Sequence, residues 1–272
     1  MAHDGLPDRE ALLEWYAAVR RPLPWRASRD PYALLVSEVM LQQTQAARVV
    51  PYYEAFLARF PDAAALASAP ARDVLAHWSG LGYNRRALAL QAAARIVARD
   101  GWPEDLRTLP GVGPYTAAAL GAFAWDRDEA AVDTNVRRVI ERWDGALRTP
   151  RALAERAAQW LPRGRAADFN QAMMELGATV CAPRAARCAQ CPLANGCAGA
   201  AVPSRLPRTA LRRRRERFED TDRWARGRVV AALLAGQPLP AAVHGERRER
   251  VLAALERDGL IRRGPGGSVA LP

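Results

Sequence analysis

The sequence predicts an all-α protein with a small module of helices and a hairpin at its C-terminus. Alanine and leucine recur at spacings of three and four residues in segments such as REALLEWYAAVR and TPRALAERAAQWL, as on one face of an amphipathic helix. Residues 1–200 show no clear alternation of apolar and polar residues, the pattern that indicates strands. Prolines and glycines mark the predicted helix ends, near residues 22–24, 61, 70, 101–103, 110–114, 150 and 162–164.

Three parts are predicted along the chain: a helical domain over residues 1–200, a basic linker over 201–221 and a module over 222–272. Residues 202–228 contain ten arginines and four acidic residues, which give +6 of the total charge of +11. A linker this basic would release several counterions on contact with DNA phosphates. The alternative is a solvated charge run without a dedicated role.

The C-terminal module has its own pattern. Helices are predicted near residues 222–235 and 245–258, before the sequence GPGG, which can turn a short hairpin. Two helices followed by a hairpin are typical of a winged-helix-like module.

Composition and charge narrow the class of protein. About half of the 272 residues are hydrophobic and a quarter are charged, which is typical of a globular chain. All 40 basic residues are arginine, so no side-chain amine can form a Schiff base. The excess positive charge favours nucleic acid as a partner, although ribosomal and membrane-surface proteins share it. With no apolar run of 18 residues and no secretory signal, we expect a cytoplasmic protein without membrane contact.

A cluster of cysteines predicts a metal site. Cys181, Cys188, Cys191 and Cys197 all lie within 17 residues, and disulfides are uncommon in the cytoplasm. Zinc ribbons use two C-x-x-C pairs, whereas this loop has one. Four thiolates in a compact loop favour an iron–sulfur cluster, and zinc is the alternative.

A glycine-rich turn predicts a contact with a phosphate backbone. In LPGVGPYTAAALGAFAW, Gly111, Val112 and Gly113 form a tight turn before a helix. The glycines let backbone amides approach an anion, and the helix begins with its positive dipole end. This is the helix–hairpin–helix pattern, which holds DNA independently of sequence; a plain connection between helices is the alternative.

Two carboxylates are candidates for acid–base chemistry. Glu38 lies in the apolar segment PYALLVSEVMLQQTQ, where its neighbours would favour the protonated acid. Asp133, in AVDTNVRRV, lies at a predicted helix N-cap, which favours a carboxylate. One acid and one carboxylate can together cleave a glycosidic bond, although a plain helix cap would also explain Asp133.

Five motifs and the cysteine loop together resemble adenine DNA glycosylases of the MutY type, in the helix–hairpin–helix superfamily that includes endonuclease III. The motifs are SEVMLQQTQ, GLGY, LPGVGPYTAAA, VDTNVRRV and FNQAMMELGATVC. The resemblance covers about residues 5–200. It implies two helical subdomains that flank a DNA cleft and a 4Fe–4S cluster on the four cysteines.

The resemblance also implies catalytic roles. Glu38 matches the acid that protonates nitrogen 7 of adenine, and Asp133 matches the carboxylate that stabilises or captures the sugar cation. Asn135 matches the asparagine that positions this network. Tyr115 occupies the position where bifunctional relatives carry the lyase lysine.

Further matches concern DNA recognition. Gln42, with Gln43 and Thr44 beside it, matches the residue that inserts into the base stack at the flipped base, and Tyr83 matches the aromatic that stacks near the partner guanine. The residues that correspond to the adenine pocket are Arg21, Trp25, Arg26, Leu41 and Gln171. Ordinary core packing is the alternative for Trp25 and Leu41.

These matches predict a monomeric, monofunctional glycosylase of base excision repair that acts on double-stranded DNA, in the cytoplasm and on the nucleoid. Its expected substrate is adenine mispaired with 8-oxoguanine or guanine. The alternatives are a thymine-mismatch glycosylase, an endonuclease III-like lyase and a non-catalytic DNA-binding protein.

The tail departs from the family pattern. Family members often continue with a Nudix-like domain that reads 8-oxoguanine, and the 222–272 module is too short for it. The resemblance therefore does not fix the preference for 8-oxoguanine over guanine. We expect the module to bind the flanking duplex or to contact a protein.

Overall fold

The computed structural model describes residues 5–201 and 217–272, which divide into two units. The first unit contains the chain up to Leu34 and the chain from Gly113 through the cysteine loop, and the second contains Leu35–Val112 and the described residues from 217 onward. The all-α prediction is confirmed, and the described residues before the C-terminal module contain no strand. The 202–216 part of the predicted linker lies outside the described residues. None of the helices in the described ranges is both long and apolar enough to span a bilayer.

The first unit is built on helices that enclose a shared apolar core. They are α1 (Arg9–Val19), the start of α2 (Pro31–Leu41), α7 (Pro114–Trp125), α8 (Thr134–Asp144), α9 (Pro150–Trp160), α10 (Ala166–Thr179) and α11 (Ala198–Ala201). Trp143 and Trp160 meet edge to face in this core, with their ring centroids 5.7 Å apart. Three of the cysteines, Cys181, Cys191 and Cys197, pack against the same core.

Capping residues set the limits of α8, and its N-cap, Asp133, is the one that the sequence predicts. Asp133 is the N-cap, and its side chain accepts hydrogen bonds from the backbone amides of Asn135 and Val136. Gly145 ends the helix with φ +67°, a left-handed conformation that glycine adopts without steric cost. Both ends of this helix are therefore satisfied locally.

The second unit contains the rest of α2 and a further set of helices. They are α3 (Ala46–Arg59), α4 (Ala63–Ser68), α5 (Ala71–Trp78), α6 (Arg85–Asp100), α12 (Asp222–Leu234) and α13 (Gly245–Arg257). Its aromatic centre is formed by Phe56, Phe60 and Trp78, all fully buried; the ring centroids of Phe56 and Trp78 lie 6.0 Å apart.

The C-terminal module has the predicted elements. Helices α12 and α13 are followed by the antiparallel strands β1 (Arg262–Arg263) and β2 (Val269–Ala270). A short turn over Pro265–Gly267 joins the strands, with Gly266 at φ +68°. The module packs on the rest of the second unit through α5, where Arg72 donates a hydrogen bond of 2.7 Å to the carbonyl of Leu234.

A buried glycine sets how closely α10 approaches α8. A Cβ atom on Gly177 would lie 2.6 Å from the Cβ of Asn135 and 2.9 Å from its carbonyl oxygen. We expect Gly177→Ala to lower the free energy of unfolding by about 1–3 kcal/mol, because the added methyl overpacks the helix contact. Urea unfolding followed by circular dichroism measures this change.

Gly227 provides the matched control. It lies on the exposed face of α12, and a Cβ there meets no atom within 4 Å. Gly227→Ala should raise the free energy of unfolding by about 0.5–1 kcal/mol, since alanine is the better helix former. Equal stability of Gly177→Ala and the wild type would contradict the close approach of the two helices.

Candidate functional site

Glu38 lies inside α2 as the sequence predicts. The helix passes from the first unit into the second, and every residue from Tyr32 to Met40 is buried. Glu38 itself is 5% exposed. The prediction that its apolar neighbours bury this glutamate is therefore confirmed.

Asp133 and Asn135 form a small hydrogen-bonded network at the start of α8. One oxygen of the Asp133 carboxylate accepts from the amides of Asn135 and Val136 at 2.8 and 2.7 Å. The other accepts from Nδ2 of Asn135 at 2.7 Å. The two amides and the Asn135 side chain together fix the orientation of the Asp133 carboxylate.

Two arginines connect this network to the cysteine loop. Arg138 donates to Oδ1 of Asn135 at 2.7 Å and to the carbonyl of Cys181 at 2.8 Å. Burial lowers the pKa of the Arg138 guanidinium. One helical turn later, Arg142 donates to the carbonyls of Cys181 and Ala182 and lies 3.4 Å from the Cys181 sulfur. Helix α8 therefore holds both the Asp133 carboxylate and the first cysteine.

All four cysteines line one pocket in the first unit, together with Arg142. Each of the thiols is partly buried and unpaired by any disulfide. Burial raises the pKa of the Cys191 thiol to about 11, and the three neighbouring cysteines add to this rise. Within residues 5–201 and 217–272, no three metal-binding side chains are grouped closely enough to hold a single ion.

A buried glutamate forms ion pairs with two residues of the predicted adenine pocket. Glu175 on α10 pairs with Nε of Arg21 and with Nη2 of Arg26, both at 2.6 Å. Burial opposes ionisation of Glu175, but the hydrogen bonds from both arginines outweigh it and hold the pKa of this carboxyl below its ordinary value. On the same helix, Gln171 accepts a hydrogen bond of 2.5 Å from the Tyr16 hydroxyl. Arg21 and Arg26 thus share one acidic partner, and Gln171 lies one turn earlier on the same helix.

Two further predicted residues, Trp25 and Tyr115, lie in the first unit. Trp25 lies in the short 3-10 helix Pro24–Arg26 and is 6% exposed. The hydroxyl of Tyr115, near the start of α7, lies 3.9 Å from the sulfur of Met174.

The predicted DNA-contacting residues of the second unit are tied together by Arg86. Its guanidinium donates to the carbonyls of Val39 and Gln42, at 2.6 and 2.7 Å, and to that of Gly82 at 3.1 Å. The carbonyl of Met40 receives a further bond at 3.1 Å. One cation therefore joins the C-terminal end of α2 to the GLGY turn.

Both connected segments contain left-handed backbone. Gln43 has φ +58° and Tyr83 has φ +49°, values that non-glycine residues seldom adopt. The Arg86 guanidinium lies 5.5 Å from the Tyr83 ring centroid. Burial lowers its pKa to about 10, so Arg86 is still a cation at neutral pH.

An open cavity of about 570 Å³ lies beside these segments in the second unit. Gln42, Gln43 and Tyr83 line it, together with Arg223 of the C-terminal module. Thr44 lines a neighbouring cavity, also with Arg223. Leu41, at the end of α2, is half-buried.

The glycine-rich turn contains left-handed backbone immediately before α7. Gly111 is exposed with φ +79°, and a Cβ there would lie 3.0 Å from the side chain of Ala89. Gly113 is the N-cap of α7, and Pro114 is its first residue. A short 3-10 helix over Leu106–Thr108 precedes the turn. Val112, between the glycines, is buried and anchors the turn.

Sequence reasoning missed Glu175, Arg86 and Arg138. Glu175 carries the same signal as Glu38, a glutamate within an apolar helical segment, in FNQAMMELGAT. The two arginines carry no such signal because their acceptors are mainly backbone carbonyls distant in sequence.

Comparison with known proteins assigns the family. The family model of HhH-GPD superfamily base excision DNA repair proteins matches residues 36–163. The adenine DNA glycosylase of Mycobacterium tuberculosis is 42% identical over 284 residues, an alignment that covers 96% of this chain and 92% of the relative. The chain belongs to the adenine DNA glycosylase family.

Solved structures support the same fold. A thermostable thymine-DNA glycosylase is 32% identical, with a TM-score of 0.66 over 71% of this chain and 94% of the other. A trapped endonuclease III–DNA covalent intermediate has a TM-score of 0.63 at 20% identity, over 72% of this chain and 95% of the other. The helix–hairpin–helix glycosylase fold predicted from the sequence is confirmed.

The M. tuberculosis alignment also bears on the tail. Because it covers 96% of this chain, it includes most of the C-terminal module. The C-terminal module therefore has an aligned counterpart in this relative.

Arg86→Ala tests the junction between α2 and the GLGY turn. We expect a loss of about 2–4 kcal/mol in the free energy of unfolding, because several carbonyls lose a charged donor at once. Chemical denaturation measures it. The control is Arg85→Ala, whose side chain is 74% exposed and whose removal should cost no more than about 0.5 kcal/mol. Similar losses for both variants would contradict the role of Arg86.

Proposed function

We propose that this protein is a monofunctional glycosylase that hydrolyses the N-glycosidic bond of adenine mispaired with 8-oxoguanine or guanine. The observation that carries the proposal is the pair of carboxylates in opposite environments, on a chain 42% identical over nearly its whole length to an adenine DNA glycosylase. Glu38 is buried within an apolar helix, whereas the Asp133 carboxylate accepts hydrogen bonds from two backbone amides and from the Asn135 side chain.

Glu38 is the proposed general acid. It donates a proton to nitrogen 7 of the flipped adenine, so that the base leaves as a neutral group. Glu38 is only 5% exposed, and burial is the environment in which other glycosidases keep their acid protonated.

Asp133 is the proposed stabiliser of the sugar cation. As the base leaves, positive charge develops on the sugar, and a fixed carboxylate lowers the energy of that state before water attacks. Asn135 is a positioning residue, because its side chain holds the Asp133 carboxylate and is itself held by Arg138.

The second unit supplies the proposed contacts with DNA. Gln42, with Gln43 and Thr44 beside it, inserts into the base stack opposite the flipped base and fills the gap that the base leaves. Tyr83 stacks near the partner base. Gly111, Val112 and Gly113 present backbone amides to a phosphate. Arg21 and Arg26, which pair with Glu175 in the first unit, are the proposed residues of the adenine pocket, with Gln171, Trp25 and Leu41.

The absence of lysine supports a single activity. A lyase step on this scaffold requires an amine nucleophile, and the sequence contains no lysine. Tyr115 stands at the corresponding position of LPGVGPYTAAA. We therefore propose base removal without strand cleavage.

Cys181, Cys188, Cys191 and Cys197 would hold a 4Fe–4S cluster. Their placement around one pocket supports this, because a cluster separates its thiolates more widely than a single ion does. The buried thiols also favour the protonated form, so a cationic group is needed to stabilise them as ligands. When bound, the cluster supplies a rigid anchor for the loop beside α8.

A thymine-mismatch glycosylase is the second candidate. The observation that favours it is the structural likeness to a thermostable thymine-DNA glycosylase at 32% identity. The two functions share a scaffold and differ in the base they accept.

Single-turnover assays on duplexes with A:8-oxoG, A:G, A:C and T:G distinguish these functions. We expect wild-type protein to release adenine and to leave the strand intact until alkali is added. Glu38→Gln should slow release at least about 100-fold through loss of the general acid. Its control is Glu54→Gln, at an exposed position of α3, which should match the wild type.

Each contrary outcome removes a defined part of the proposal. Release of thymine from T:G with adenine untouched would favour the second candidate. Strand cleavage without alkali would contradict the single activity. Full activity of Glu38→Gln would exclude Glu38 as the acid.

A further inference from the structure

The C-terminal module places a cation directly against Tyr83. The guanidinium of Arg223, in the first turn of α12, lies 4.1 Å from the centroid of the Tyr83 ring. It also lies beside Gly82, since a Cβ there would be 3.6 Å from Nη2 of Arg223. Arg86 lies 5.5 Å from the same ring centroid. The exposed Tyr83 ring thus interacts with two guanidinium groups, one of them supplied by the module.

Within the part of the chain that the structure describes, no carboxylate forms an ion pair with Arg223. Other arginines of the module pair with acids: Arg226, Arg247, Arg250 and Arg263. Among the described residues, none of the ion pairs involves Arg223, which is exposed. Its hydrogen-bond donors are therefore available to an acceptor outside the protein.

Arg223 also lines the space that adjoins the DNA-contacting residues. It borders the cavity of about 570 Å³ that contains Gln42, Gln43 and Tyr83. It borders the neighbouring cavity as well, which contains Thr44 and Arg48. A base that stacks near Tyr83 would therefore lie within reach of the Arg223 guanidinium.

We propose that Arg223 is a specificity-determining residue that reads the base opposite the excised adenine. This inference rests on the proposed function, which places Tyr83 at the partner base. Guanine presents two acceptors, O6 and N7, that match the planar fork of an arginine. Cytosine presents an amino donor there, which an arginine cannot accept. The module thereby contributes to the selection of guanine over cytosine as the partner base.

Binding to non-cleaved DNA tests the inference separately from excision. All variants carry Glu38→Gln, and each is titrated with an A:G duplex and an A:C duplex. The ratio of the two dissociation constants reports partner selectivity. We expect Arg223→Ala to reduce the preference for A:G about tenfold, the effect of losing one bidentate base contact. Arg223→Lys should also lose most of the preference, because an ammonium lacks the planar fork.

Arg228→Ala is the matched control. Arg228 lies on the same helix and is also exposed, but its guanidinium is placed over Trp224, at 6.0 Å from the ring centroid. Its removal should weaken binding to both duplexes equally, as expected for a contact with phosphate. Unchanged melting temperatures would show that the variants are folded.

Equal weakening of both duplexes by Arg223→Ala would overturn the inference and make Arg223 a backbone contact. Binding of both duplexes as tightly as by the protein with Arg223 intact would also overturn it. Failure of the proposed function is a different result, namely wild-type protein that releases no adenine from any duplex.

Discussion

Guanidinium groups that are partly or fully buried bind backbone carbonyls and fix the candidate functional segments within each unit. Carbonyls at the end of a helix have no partner within the helix, and at the end of α2 Arg86 satisfies those of Val39, Met40 and Gln42. The same group binds Gly82. Because α2 carries Glu38 one turn earlier, a single cation fixes the segments that contain the proposed acid and the residues proposed to enter the DNA stack.

Arg138 and Arg142 have the equivalent task in the first unit. Each donates to the carbonyl of Cys181, and Arg138 also holds Asn135. Arginine suits this use because its fork presents several donors in fixed directions and stays charged when partly buried. A chain without lysine can thus use arginine for its buried cations, and the proposed pair of carboxylates needs no amine.

Much of the architecture was predictable from local patterns. The burial of Glu38 followed from its apolar neighbours, and the N-cap position of Asp133 followed from the helix that begins after it. The C-terminal helices and hairpin lie close to their predicted positions. Each of these features depends on residues near one another in the sequence, which is where periodicity and capping rules apply.

Contacts between distant segments were not predictable in this way. Arg86 and Val39 are 47 residues apart, and a backbone carbonyl carries no mark of its partner in the sequence. The position of Arg223 against Tyr83 depends on how the module packs on the second unit, which no local pattern specifies. Glu175 is the exception, since the reasoning applied to Glu38 applied equally to it.

The most direct test of adenine excision at this site is a crystal structure of the Glu38→Gln protein bound to a duplex with one A:G mismatch. The adenine is expected outside the base stack, with its nitrogen 7 against the side chain at position 38 and Asp133 beside the sugar. Adenine that stays stacked in the duplex, or that lies away from position 38, would contradict the proposed chemistry.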